Sequence, residues 1–313
     1  MQKIVFLFPG QGSQYPGMGK ELYDNYAEAK EVFKIADEAL GFDLTSLVFE
    51  GSKEDLQKTE ITQPAVLVTS MAIFNVLKKC YKIYPDAVAG LSLGEYSALT
   101  ASGALKLKDA VRLVQKRAKF MQEAVPEGRG SMAAILGLPE EKVLQVCSEG
   151  ESFGIVSPAN YNCPGQVVIS GEREAVEKTV VRAKEEGAKR AVVLPMSVPS
   201  HCKLLKSAGE KLAETMENLQ VGELKIPLVA NVDARYYKNT EDIKDLLVSQ
   251  LSNPVLWQSS MELLIREGCS VFVEVGPGKT LTGFLKKINR TVNGYSVEDK
   301  SSLEKLLNVL EVC

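Results

Sequence analysis

The chain has 313 residues, 45% of them hydrophobic and 25% charged, with a formal net charge of −3, the composition of an ordinary globular protein. That length asks for one large domain with an insertion, or for two domains. The charge leaves no global basic excess for binding nucleic acid.

Ile4–Phe8 is a short apolar run ending at Pro9-Gly10, and it reads as a buried strand followed by a turn. It is too short for the core of a signal peptide. No stretch collects the roughly 18 consecutive apolar residues of a membrane helix, so a cytoplasmic protein without membrane contact is expected. Met18–Leu40 has helical character. Thr62 is placed to cap a helix with Pro64 near its start, running through Val66, Val68 and Phe74 to Lys79. Asp86–Gly90 reads as a strand, Leu93–Ala101 as a helix straight after it, and Lys108–Val125 as a helix stopped by Pro126 and Gly128. Strands alternating with helices imply a mostly parallel sheet covered on both faces.

After the linker Glu127-Gly-Arg-Gly130 the rhythm changes. Ser131–Leu136 reads as a strand, Pro139–Glu149 as a helix, and Phe153–Ser157 and Gln166–Ser170 as strands joined through Asn162-Cys-Pro-Gly165. Helix Glu172–Glu186 and strand Arg190–Leu194 follow. This β-α-β-β-α-β order is the ferredoxin-like unit. It predicts a subdomain over 129–196, inserted into a larger α/β domain of 1–128 and 197–313. The α/β pattern resumes with helix Lys203–Glu217, strand Pro227–Val232, helices Ile243–Leu251 and Pro254–Glu267, strand Ser270–Val275 and a last helix near Leu303–Leu310. Cys80, Cys147, Cys163, Cys202, Cys269 and Cys313 stand singly, and His201 is the only histidine. That argues against a zinc site and for free thiols in a reducing compartment.

Gly90-Leu-Ser92-Leu-Gly94 matches G-x-S-x-G, with a predicted strand before it and a helix after it. This is the context of a nucleophile elbow, in which the serine Oγ is exposed on a sharp turn. The helix N-terminus beyond Ser92 faces the place where an oxyanion would form. A serine needs a base, and His201, after Val198-Pro-Ser200, is the one imidazole available. Within Lys108–Val125, Arg117 shares the apolar face marked by Val114, Ala118 and Met121, whereas Lys116 and Lys119 point elsewhere. A guanidinium turned inward needs a carboxylate, either a buried Asp or Glu or one brought by a substrate. Two nucleotide motifs fail. Gly10-Gln-Gly12-Ser-Gln-Tyr15 has Tyr15 where a dinucleotide fingerprint needs its third glycine, and Gly276-Pro-Gly-Lys-Thr280 has Val273 where a P-loop needs its first.

These motifs together resemble the malonyl-CoA:acyl carrier protein transacylase family. Phe8-Pro-Gly-Gln-Gly-Ser-Gln14, Gly90-Leu-Ser-Leu-Gly-Glu-Tyr-Ser-Ala98, Gln115-Lys-Arg-Ala-Lys-Phe-Met121, Asn160-Tyr-Asn-Cys-Pro-Gly-Gln166, Val198-Pro-Ser-His201, Gln250-Leu-Ser-Asn-Pro-Val255 and Glu274-Val-Gly-Pro-Gly278 occur in the family's order across nearly the whole chain. The resemblance implies an α/β-hydrolase-like core with an inserted ferredoxin-like subdomain. It implies that Ser92 attacks the thioester, that His201 is its base, and that the backbone carbonyl of Gln250 orients the histidine. The backbone N–H groups of Gln11 and Leu93 would form the oxyanion hole. Arg117 would bind the malonate carboxylate, with Met121, Met132, Asn160 and Ser200 around the acyl group. In modular relatives the residue before the base, here Ser200, correlates with extender choice. The family's usual histidine before the nucleophile is replaced by Leu91.

The expected reaction is ping-pong transfer from malonyl-CoA to an acidic acyl carrier protein in fatty-acid synthesis, by a monomer and without a metal or redox cofactor. Lys189-Arg190 and Lys286-Lys287 are candidate docking cations. A serine hydrolase would lack the inward arginine, and a non-catalytic carrier-binding scaffold would have no use for an activated serine.

Overall fold

A computed structural model describes residues 2–195 and 198–311. The elements run β1 (Lys3–Phe8), α1 (Lys20–Asn25), α2 (Ala27–Leu40), α3 (Leu44–Glu50), α4 (Lys53–Gln57), α5 (Thr59–Asn75), β2 (Ala87–Gly90), α6 (Gly94–Ala101) and α7 (Leu107–Ala124). Next come β3 (Gly130–Leu136), α8 (Glu140–Gly150), β4 (Val156–Cys163), β5 (Gln166–Glu172), α9 (Arg173–Glu185) and β6 (Arg190–Val193). The chain ends with α10 (Lys206–Met216), β7 (Leu228–Val229), α11 (Glu241–Ser252), α12 (Trp257–Arg266), β8 (Cys269–Val275), α13 (Thr280–Ile288), β9 (Asn293–Val297) and α14 (Lys300–Val309).

Five strands form one sheet in the order β7-β2-β1-β8-β9, every described pairing parallel. Side-chain alternation along β1 decides what covers it. Phe6 and Phe8 face a core completed by α2, α5, α7 and α14, while Val5 and Leu7 face Trp257, Met261 and Leu264 of α12 and Leu281 and Leu285 of α13. Both faces are covered, as a parallel sheet requires. Helix α5, continued by a π-helical turn over Val76–Cys80, explains an apparent conflict with the sequence reading. Thr59–Cys80 is long and apolar enough to cross a membrane, yet 83% of its most apolar window is buried inside the protein. It is the central helix of the core.

The second sheet is antiparallel, in the order β4-β5-β3-β6, with α8 and α9 packed on one face around Ile135, Val146, Ile169 and Val176. This is the order of the predicted β-α-β-β-α-β unit. Its far boundary, expected between Met196 and Ser197, lies outside the described residues, as does Cys313. Backbone ties β4 to the connection between α11 and α12: Tyr161 N–H donates to the Val255 carbonyl and Val255 N–H to the Ala159 carbonyl, both at 2.9 Å. This strap fixes β4 over the carboxyl ends of the parallel strands, where an open α/β sheet binds ligands.

Several local expectations change. Met18–Leu40 is two helices, broken at Tyr26, whose backbone is extended. Thr62 does not cap α5. The helix begins three residues earlier, and the Thr62 hydroxyl donates back to the carbonyls of Leu56 and Lys58, a local alternative that threonine takes readily. The strand expected over Pro227–Val232 pairs only at Leu228 and Val229. Helices α3, α4 and α13 and strand β9 have no counterpart in the sequence reading. They are short, and α13 carries Gly283 inside it, which weakens the helical pattern.

The elbow leaves no room at its glycines. A Cβ on Gly90 would stand 1.9 Å from the Gly94 carbonyl oxygen, and one on Gly94 would stand 2.0 Å from that of Phe8. Backbone cannot retreat there without opening the β1–β2 pairing. Gly90→Ala is therefore expected to cost about 1–3 kcal/mol or more through overpacking, read as a lower urea midpoint. An unchanged midpoint would mean that the turn relaxes freely.

Candidate active site

Ser92 occupies the turn between β2 and α6 with φ 53°, and His201 has φ 60°. Residues other than glycine hold this left-handed conformation only when their surroundings impose it, and such strain concentrates at functional sites. At the elbow the constraint is Asn231. Its Oδ1 accepts from Ser92 N–H at 2.7 Å, and its Nδ2 donates to the Gly90 carbonyl at 2.7 Å. One side chain thus clamps the turn from both sides. Leu91 is partly buried, packed against the apolar cluster under α12 and α13, and lines the cavity.

His201 bridges two partners. Its Nε2 lies 2.7 Å from Ser92 Oγ and its Nδ1 2.7 Å from the Gln250 carbonyl oxygen. A carbonyl only accepts, so the ring proton sits on Nδ1 and Nε2 is left as an acceptor toward the serine hydroxyl. Burial pushes the imidazole down to about 4, helped by the Arg117 guanidinium and opposed by the Gln250 carbonyl. At neutral pH the ring is uncharged, the form that takes up a proton.

Arg117 is 2% exposed. Its Nη1 donates to Gln63 Oε1 at 2.7 Å, and its Nη2 donates to Gln250 Oε1 at 3.0 Å and reaches Ser92 Oγ at 3.3 Å. The guanidinium lies 5.3 Å from the centre of the Tyr96 ring, a cation–π distance. Among the described residues its Nε has no hydrogen-bond partner, and no carboxylate pairs with it directly. Burial lowers its pKa from the ordinary value, with Tyr96 and Glu95 pulling the other way. Among the described residues there is no direct ion pair that would make Arg117 purely structural.

Ser92, His201 and Arg117 share one cavity of about 230 Å³ with Gln11, Leu93, Met132, Asn160 and Ser200. Gln11 and Leu93 both line this cavity, and neither gives its backbone N–H to another backbone group among the described turns and loops. Met132, Ala134 and Val168 of the second sheet, with Leu194 just after β6, form an apolar wall, and Thr280 and Phe284 of α13 also line the cavity. Met121 is a correction. It is 1% exposed and lies outside the lining, one layer back, with Sδ accepting from Gln63 Nε2 at 3.5 Å. On a helix the residue four positions on supports the arginine's stem rather than sharing its tip. Among the described residues, no three or more His, Cys, Asp or Glu side chains gather as a metal site would require.

The sequence reading passed over Gln63, Glu95, Asn231 and Tyr237. Gln63 carried a legible signal: a carboxamide in a helix buried on all sides must find a polar partner. Glu95 carried one too, a carboxylate three residues past the nucleophile on a helix that packs into the core. Asn231 and Tyr237 follow a two-residue strand, and no local pattern points from there to the elbow.

The chain matches the family described as acyl transferase domain over residues 5–304. It is 48% identical over 312 residues to a malonyl CoA-acyl carrier protein transacylase of Bacillus subtilis, covering 99% of this chain and 98% of the relative. It is 46% identical over 309 residues to the protein of the same name from Escherichia coli, covering 99% of this chain and 100% of the relative. Among solved structures, a malonyl-transacylase in complex with its type II polyketide acyl-carrier protein superposes with a TM-score of 0.96 at 45% identity, over 98% of this chain and 99% of that one. The malonyl CoA-acyl carrier protein transacylase of Clostridium perfringens gives a TM-score of 0.95 at 48% identity, over 99% of this chain and 97% of that one.

Because the chain has one histidine, its titration is directly visible by carbon-edited NMR. The His201 ring is expected to stay neutral as the pH falls through 6.5 and to take up its proton only near 4. A midpoint near 6.5 in the folded protein would contradict the buried, carbonyl-held imidazole.

Proposed function

The chain belongs to the malonyl-CoA:acyl carrier protein transacylases of the acyl transferase domain family, and we propose that it moves malonyl from coenzyme A to the phosphopantetheine thiol of an acyl carrier protein through an ester on Ser92. The observation that carries this reading is a single cluster. A serine 2.7 Å from a neutral histidine stands 3.3 Å from a buried arginine that no carboxylate occupies. The first pair makes an acyl-enzyme, and the arginine selects an acyl group that ends in a carboxylate.

In the first half-reaction His201 Nε2 takes the proton from Ser92 Oγ as the oxygen attacks the thioester carbonyl. The oxyanion meets the N–H groups of Gln11 and Leu93. Collapse expels the thiolate of coenzyme A, which receives the proton from Nε2. In the second, the carrier's thiol gives its proton to Nε2 and attacks the malonyl ester, and Ser92 Oγ leaves and recovers it. Every step transfers a proton or an acyl group, so the balance closes with no redox partner. Gln250 holds Nδ1 throughout, which keeps the working nitrogen turned to the serine.

The malonate carboxylate would pair with Arg117. A buried guanidinium without an anion is costly, and charge-assisted hydrogen bonds of roughly 1.5–3 kcal/mol each reward the substrate that brings one. Such pairing also holds the negative charge on the carboxylate, which decarboxylation would have to remove. An acetyl group earns none of this.

Acidic carrier protein would approach over the cavity mouth. Gln166 lines the cavity, and its Oε1 accepts from Lys287 Nζ at 3.1 Å. Gln166 pairs across the sheet with Leu136, which pairs with Arg190. Lys189, Arg190, Lys286 and Lys287 are exposed around this edge, an arrangement that supports steering of an anionic partner. In this reading 1–128 with 197–313 is the catalytic domain, and the inserted 129–196 roofs its acyl site. A monomer in the cytoplasm completes the reading, since coenzyme A thioesters are cytoplasmic substrates.

Intact-protein mass spectrometry tests the proposal. Malonyl-CoA should add one malonyl group, absent in Ser92→Ala. His201→Ala should slow labelling by about 10²–10⁴-fold, and Arg117→Ala should fold yet lose its preference for malonyl-CoA over acetyl-CoA. Labelling that survives in Ser92→Ala, or a stable Arg117→Ala that keeps the preference, would overturn it.

A further inference from the structure

Glu95 is a fully buried carboxyl group in the elbow helix, 1% exposed, and the transfer steps do not use it. Its described neighbours all point donors at it. The Asn231 backbone N–H, at 3.1 Å, and the Tyr237 hydroxyl, at 2.7 Å, donate to Oε1, and Gln250 Nε2 donates to Oε2. Three donors and no fixed acceptor suit an ionised carboxylate. Burial opposes this and pushes the group up to about 7, while the three donors and Arg117 hold it down.

The consequence appears on the far side of Gln250. A carboxamide has one accepting and one donating end. Glu95 and the Ser92 carbonyl, at 2.9 Å from Nε2, both take the donating end. The accepting end is thereby turned to Arg117 Nη2, at 3.0 Å. The geometry points to Glu95 as the positioning residue for Arg117: it sets the polarity of the Gln250 carboxamide and supplies the guanidinium with a counter-charge one residue removed. A glutamate in direct contact would pair with Arg117 and compete with the malonate carboxylate. A glutamine in between balances the buried cation and leaves it open to substrate. The same residue presents its backbone carbonyl to His201 Nδ1, so Glu95 links the acyl-selecting and proton-transferring halves of the site. This inference rests on the malonyl-transfer reading.

Glu95→Gln tests it with almost no change of shape. The Asn231 N–H is backbone and cannot turn, so the new amide must keep its oxygen there and aim its NH₂ at Gln250. Gln250 then either rotates, giving up the Ser92 carbonyl and turning its own NH₂ toward Arg117, or keeps that bond with its NH₂ set against another donor and no counter-charge behind it; both weaken its hold on Arg117. The kcat/KM for malonyl-CoA is expected to fall on the order of 10–100-fold, and that for acetyl-CoA clearly less, so the malonyl-to-acetyl ratio shrinks. Gln250→Met removes the relay, and in its background Glu95→Gln should leave the ratio where Gln250→Met alone puts it. Equal losses on both substrates, an unchanged ratio, or additive effects in the double variant would each overturn the assignment. If Glu95→Gln does not fold, Glu95→Asp replaces it: it keeps the charge but withdraws from Gln250, and the same loss of ratio is expected, an unchanged ratio again overturning the assignment. These outcomes are separable from the function itself, because malonyl labelling of Ser92 in the unaltered protein is scored independently.

Discussion

The site is organised by one buried charge. Arg117 is a guanidinium inside an apolar core, beside Ser92, with hydrogen bonds to two glutamines and, among the described residues, no carboxylate paired with it. Such a group is held only if its surroundings are built for it. Gln63 reaches it from α5, Tyr96 lies against it from α6, and Gln250 meets it from α11. Three core helices are therefore set, in part, by the requirement to solvate one cation. Among the described residues its Nε is buried without a hydrogen-bond partner.

The reacting pair depends on the same elements. Gln250 offers its side chain to Arg117 and its backbone carbonyl to His201, and its Nε2 also holds the Ser92 carbonyl. Asn231 braces the elbow on its other side. A histidine held by a carbonyl gains no charge from its orienting partner, unlike one held by a carboxylate. Burial and the adjacent guanidinium both keep it neutral, the form that the proposed base requires. The strain at Ser92 and His201 is borne by these hydrogen bonds and by the β1–β2 pairing beneath the turn.

Much of this was legible in the sequence, and the residues show why. The alternation of Val5, Phe6, Leu7 and Phe8 between two apolar faces marks a covered parallel strand. The spacing of Gly90, Ser92 and Gly94 marks an elbow, and the place of Arg117 on an apolar helix face marks an inward charge. Each of these is a local pattern with a local cause. What escaped depends on contacts distant in sequence. Asn231 reaches Ser92 across 139 positions and Tyr237 reaches Glu95 across 142, and nothing near either residue in the chain announces the partner. Met121 failed for the opposite reason. Its local pattern was read correctly as buried and inward, but a helix face does not say which inward residues reach the cavity and which stand behind it.

The account is tested most directly by a structure of the protein trapped as its acyl-enzyme with malonyl-CoA. It predicts an ester on Ser92 Oγ with its carbonyl oxygen between the N–H groups of Gln11 and Leu93, and the free carboxylate against the Arg117 guanidinium, with Gln250 still between Arg117 and Glu95. A malonyl group whose carboxylate points to solvent, with no bond to the Arg117 guanidinium, would contradict it.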